Sequence, residues 1–131
     1  MKNIFYFFSL VVLLFTSCSK EPDKVLPKKD GKWNYTANTS MYLDGVFISS
    51  GTETGTMTFE KSGTVTITSG GASEKGTWSA SGDVVKLTID TETVEFKVIE
   101  KSRKSEKWEG KASYVDNGMN FSTTSIVDLS R

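Results

Sequence analysis

Cys18 is the only thiol in a chain of 131 residues that contains no histidine. A thiolate can act as nucleophile, metal ligand or acyl acceptor, but a single one makes neither an internal disulfide nor a multi-cysteine metal site. Without histidine, a Ser-His-Asp triad, a Cys-His pair and an imidazole metal site are excluded. The remaining Ser, Thr, Tyr and Lys nucleophiles have no imidazole base to activate them. Paired carboxylates could still do acid–base work, yet Glu92, Glu95 and Glu100 read as outward or turn positions. No D-x-D-x-D-G calcium loop occurs, and Asp116-Asn117-Gly118 reads as a turn. The expectation is a non-enzyme with no cofactor and no metal. The 16 basic and 16 acidic residues balance, so no global field draws the chain to nucleic acid. The one basic run, Lys101–Lys107, reads as a solvated hairpin tip.

What surrounds Cys18 assigns it a use. Lys2 precedes a run from Ile4 to Phe15 in which only Ser9 is polar. At 1.5 Å per residue such a helix spans roughly 18 Å, short of the ~30 Å hydrocarbon core and typical of a signal-peptide h-region. The alternatives are a permanent membrane helix, or a secreted chain with an incidental cysteine. Leu14-Phe15-Thr16-Ser17-Cys18 resembles the lipobox of bacterial lipoproteins. That resemblance implies a diacylglyceryl group on the Cys18 thiol, cleavage before Cys18 and acylation of the new terminus. A multiply acylated terminus anchors stably where one chain is marginal. Ser19-Lys20-Glu21-Pro22-Asp23 resembles the signal that follows the lipidated cysteine in surface-exposed lipoproteins of Bacteroidetes type. The expected location is therefore the outer membrane, lipid-anchored and displayed at the cell surface, with periplasm-facing anchorage as the other outcome. Residues 18–30 contain both prolines, four lysines and only two large apolar residues after Cys18, and read as a flexible linker.

From Gly31 onward the chain alternates with period two between Gly, Ser and Asp turns. Met57/Phe59, Val65/Ile67, Val85/Leu87/Ile89 and Val94/Phe96/Val98 each share one face of a strand. A one-residue slip would place charge inside, so register is well specified. Asp44-Gly45 is a hairpin turn and Asp116-Asn117-Gly118 turns the chain between the last two strands, and Ser69–Lys75 reads as a loop. About eight or nine strands follow one another with no segment long enough for a crossover helix. This predicts an all-β antiparallel up-and-down barrel over residues 31–131, with an open two-sheet sandwich as alternative.

Gly31-Lys32-Trp33, then Met57 to Val65 (MTFEKSGTV), then Gly76-Thr77-Trp78-Ser79 and Val85-Lys86-Leu87-Thr88-Ile89, resemble the bacterial lipocalin-like domain family in order and spacing. The resemblance implies a small antiparallel barrel, often on a lipoprotein, whose members mostly lack an assigned activity, with Trp33 plugging one end as in lipocalin relatives; calycin relatives bind small apolar molecules, a fold-level analogy. The expectation is a monomer whose barrel binds a small apolar ligand. Trp78 and Phe96, then Tyr35 and Trp108, are the expected cavity wall. The other reading is a barrel with a filled core that engages or inhibits an envelope protein through its loops, Ser69–Lys75 and Lys101–Lys107. The two part on cavity volume, since ligand pockets start near ~300 Å³.

Overall fold

The computed structural model describes residues 21–131. The leader expected over 1–17 and the lipidation expected at Cys18 lie outside the described residues. Among the described residues, one short helix, α1 (Pro22–Val25), precedes eight strands. These are β1 (Lys32–Leu43), β2 (Val46–Phe59), β3 (Thr64–Ser69), β4 (Ala72–Ser81), β5 (Val84–Ile89), β6 (Glu92–Lys101), β7 (Ser105–Asp116) and β8 (Met119–Ser130). Each pairs antiparallel with the next, and β8 pairs back onto β1 to close the barrel. Closure gives the end strands backbone partners that a sandwich would have left as edges.

The hairpins follow from turn chemistry. Asp44-Gly45, Gly70-Gly71 and Asn117-Gly118 hold positive φ at both positions, the backbone that two-residue turns need to match strand twist. Where a loop was expected over Ser69–Lys75, Gly70-Gly71 suffices and β4 starts at Ala72. Alternation weakens there because Ala72 and Ser73 carry no apolar signal, while the backbone ladder runs on regardless.

β1, β2, β7 and β8 are longer than their neighbours. β2 meets β3 only over Thr56–Phe59, and β7 meets β6 only as far as Gly110. Their outer halves form a four-stranded flap in the order β2–β1–β8–β7 beyond the barrel rim. The two hairpin tips are tied, with Asp44 N–H donating to the Asn120 carbonyl at 2.8 Å and Asn120 N–H to Asp44 Oδ1 at 3.2 Å.

The end opposite the flap is closed, and here the expectation of a linker over 18–30 needs correction for its described part, residues 21–30. From Pro22 the segment is ordered against the barrel, with Val25 and Leu26 fully buried. Pro22 at the first helical position presets φ for the single turn, and packing of Val25 and Leu26 supplies what four residues of helix propensity cannot. Composition misled because two apolar residues are too few for a core of their own, yet enough to cap one supplied by the strands. Trp33 is also fully buried, as the resemblance implied, and its indole N–H donates to the Leu26 carbonyl at 3.0 Å. The Arg131 guanidinium lies 4.2 Å from the Trp33 ring centroid and donates to the carbonyls of Lys28 and Arg103. Lys101 bridges Glu21 at 3.0 Å and Asp83 at 2.8 Å. The C-terminus, the β6–β7 turn and the N-terminal segment are thus tied at one end of the barrel.

Candidate functional site

The closed end holds the aromatic core. Phe59 meets Trp78 and Trp108 edge-on at 5.4 and 6.0 Å, and Phe96 lies 5.6 Å from Trp108. Above Phe96 the filling stops. An open cavity of about 610 Å³ begins there and reaches solvent beneath the flap, inside the roughly 300–1,000 Å³ range of small-molecule pockets. Its floor and lower wall are apolar, from Met57, Ile67, Leu87, Ile89, Phe96 and Val127. Val94, expected inward, does line the cavity but stays 44% exposed because nothing covers it there.

Of the four residues expected in a cavity wall, Phe96 and Tyr35 line it, whereas Trp78 and Trp108 do not. Trp78 is half-buried beside the β2–β3 turn, its indole N–H donating to the Glu60 carbonyl at 2.9 Å. Trp108 is fully buried beneath Phe96. Alternation reports which face a side chain occupies, not its height along the barrel. β4 runs toward the closed end and β7 runs away from it, so positions 78 and 108 both fall low.

Glycines place the two aromatics that do reach the cavity. Tyr35 pairs with Gly55 across β1–β2, and Phe96 with Gly110 across β6–β7. A Cβ on Gly110 would come within 2.8 Å of two Phe96 ring carbons, and one on Gly55 would strike the Thr68 backbone carbonyl and lie 3.0 Å from the Tyr35 ring. Each missing side chain lets a ring lie across the opposite strand. Tyr35 then donates its hydroxyl to Glu53 Oε1 at 2.8 Å. Burial first, and the Glu53 bond second, hold the phenol above its usual pKa, so it remains a donor.

The rim was not foreseen. Glu53, Glu74, Asp90 and Glu92 line the cavity, and no Lys or Arg does. Glu92, read from sequence as an outward or turn residue, is the first residue of β6 and points in with Val94 and Phe96. Parity carried the signal: Glu53 shares a face with Met57 and Phe59, Glu74 with Trp78, and Glu92 with Phe96. The rule that charge belongs outside a core, which reads Glu92 as outward, lapses where the core ends.

One more carboxyl lies deep. Glu106 is 3% exposed on the inward face of β7; its Oε1 accepts the Trp108 indole N–H at 2.8 Å and its Oε2 has no partner. Burial pushes its pKa up to about 7, with the Trp108 bond and then the charges of Arg131 and Lys101 pulling down.

No protein-family model, curated protein or solved structure matches the chain. The functional reading rests on the barrel itself.

Proposed function

We propose that the chain is a lipid-anchored barrel lipoprotein that binds a small apolar ligand in the open half of its interior. The observation that carries this is the cavity of about 610 Å³ over an apolar floor. A barrel built only as a scaffold gains from filling that space, because packing to native density is worth more than an open void. Lipidation of Cys18 would set the orientation. Glu21 sits at the closed end, three residues beyond Cys18, a reach of at most about 10 Å. The anchor then holds the closed end at the outer membrane with the cavity mouth facing away. Native mass spectrometry of the full chain taken from its own envelope into lipid nanodiscs tests the reading. A retained small molecule that disappears on Leu87→Trp, which fills the floor, is the expected result. An empty barrel under conditions that retain the lipid anchor counts against it.

A specific observation also favours the envelope-interaction reading. The flap tips expose Val46, Phe47, Ile48, Tyr114, Val115 and Met119, with Val46 and Val115 about two-thirds exposed (67% and 69%). Exposed apolar clusters mark interaction surfaces more often than bare scaffold. They lie on the β1–β2 and β7–β8 hairpins, not on Ser69–Lys75 or Lys101–Lys107 where sequence had placed the contact edges. Cross-linking in intact cells, compared between wild type and a Phe47→Ser, Val115→Ser double variant, would lose a partner band if this surface is used.

A further inference from the structure

The cavity has a sign. Glu53 from β2, Glu74 from β4 and Glu92 from β6 stand on the inward faces of three alternate strands, and Asp90 joins them from the β5–β6 turn. Among the described residues, none of the four has an ion-pair partner. Below them, along the same strands, the inward positions turn apolar, with Gly55 and then Met57 under Glu53 on β2 and Val94 and then Phe96 under Glu92 on β6. The site is therefore amphipathic along its depth, with an apolar well under a negative collar.

Each ligand class meets this differently. An anionic amphiphile would carry its head into like charge. A neutral one would gain only the well. A cationic head at the rim gains Coulomb attraction from several carboxylates, strengthened by the low-dielectric wall beneath them. A bare metal ion does not fit, because among the described residues no three acids converge closely enough to hold one. A diffuse ring suits a diffuse or mobile organic cation.

We infer that the cavity selects an amphiphilic amine, its apolar part on the floor of Leu87, Val94 and Phe96 and its ammonium among Glu53, Glu74 and Glu92. This rests on the reading of the cavity as a ligand site and adds the chemical class. The rim is wet, so each carboxylate contributes only a fraction of a buried ion pair. Acting together on one charge they should favour the cation by about tenfold over a neutral head of equal length, and less at high salt.

The test compares octylammonium, 1-octanol and octanoate by calorimetric titration of the full chain in lipid nanodiscs, with empty nanodiscs as blank. Octylammonium is expected to bind about tenfold tighter than octanol, with octanoate weakest and the preference shrinking in 0.5 M salt. A Glu53→Gln, Glu74→Gln, Glu92→Gln variant should lose the preference while keeping octanol binding, which also shows that it is folded. Asp90 stays, because it holds the turn at φ +55. Octanol binding as tightly as octylammonium, or a preference unchanged in the triple variant, overturns the amine assignment and leaves the cavity reading standing. If none of the three binds, the cavity reading falls and the assignment with it.

Discussion

Glu106 is the residue whose chemistry is most at odds with its place. Its carboxyl is buried with one oxygen unsatisfied, and its pKa rises from 4.5 to about 7. A raised carboxyl pKa means the folded state holds the proton more tightly than the unfolded state. Folding therefore bears no penalty from Glu106 below about pH 4.5, an increasing one up to about pH 7, and the full one above. A shift of this size corresponds to about 3 kcal/mol. Glu106→Gln keeps an acceptor for Trp108 and removes the charge. It should stabilise the barrel by about 1–3 kcal/mol at pH 8 and change little at pH 4, the lower figure allowing for the new amide donor. Urea unfolding of both proteins at the two pH values checks this; a gain equal at both would mean that ionisation is not the cause.

Elements built from weak local signals decide how the barrel closes and where its interior opens. α1 and Leu26 cover the closed end, though a four-residue helix has no stability of its own. Leu26→Ala should cost about 2–4 kcal/mol, the range for a fully buried leucine. A flexible tether would give almost nothing, so chemical denaturation separates the two outcomes. The paired strands β6 and β7 supply the second case. Gly110→Ala places a methyl against the Phe96 ring, which must move up into the cavity or strain the pair. The expected cost is about 1–3 kcal/mol, as for other overpacked cores, with weaker octanol binding; a crystal structure of the variant would show the Phe96 ring displaced. Alternation had marked Phe96 as inward, and the glycine across from it is what gives the ring its room.

Across the whole molecule, charge neutrality hides an asymmetry. Cations outnumber acids at the closed end, where Lys28, Lys29, Lys61, Lys101, Arg103, Lys104 and Arg131 meet Glu21 and Asp83, whereas the open end carries Asp44, Asp90 and Asp116 with the rim glutamates. Summed over the chain these cancel; separated along the barrel they produce a field that favours cations at the mouth. If Cys18 is the anchor, Cys18→Ala should move the protein from the membrane to the soluble fraction and abolish incorporation of labelled palmitate, with the barrel's circular dichroism unchanged. Fractionation and labelling read this directly, and membrane retention of the variant would assign the anchor elsewhere. The barrel architecture was legible throughout, because a period-two pattern with two-residue turns and no crossover segments admits few topologies. The cavity wall was legible only in part: Tyr35 and Phe96 line it, Trp78 and Trp108 pack below it, and of its four acids Glu92 had read as an outward or turn position.

That division has a physical origin. Local chemistry in the chain determines the strands, their turns and the face each side chain takes, since these depend on φ/ψ preference and on the cost of burying charge. Height along the barrel depends on how far each strand extends past its neighbours, which is a property of all eight ladders at once. Only the tertiary structure could therefore decide that Trp78 and Trp108 lie in the packed end, that Val25 and Leu26 cap it, and that Glu53, Glu74 and Glu92 meet around an open one.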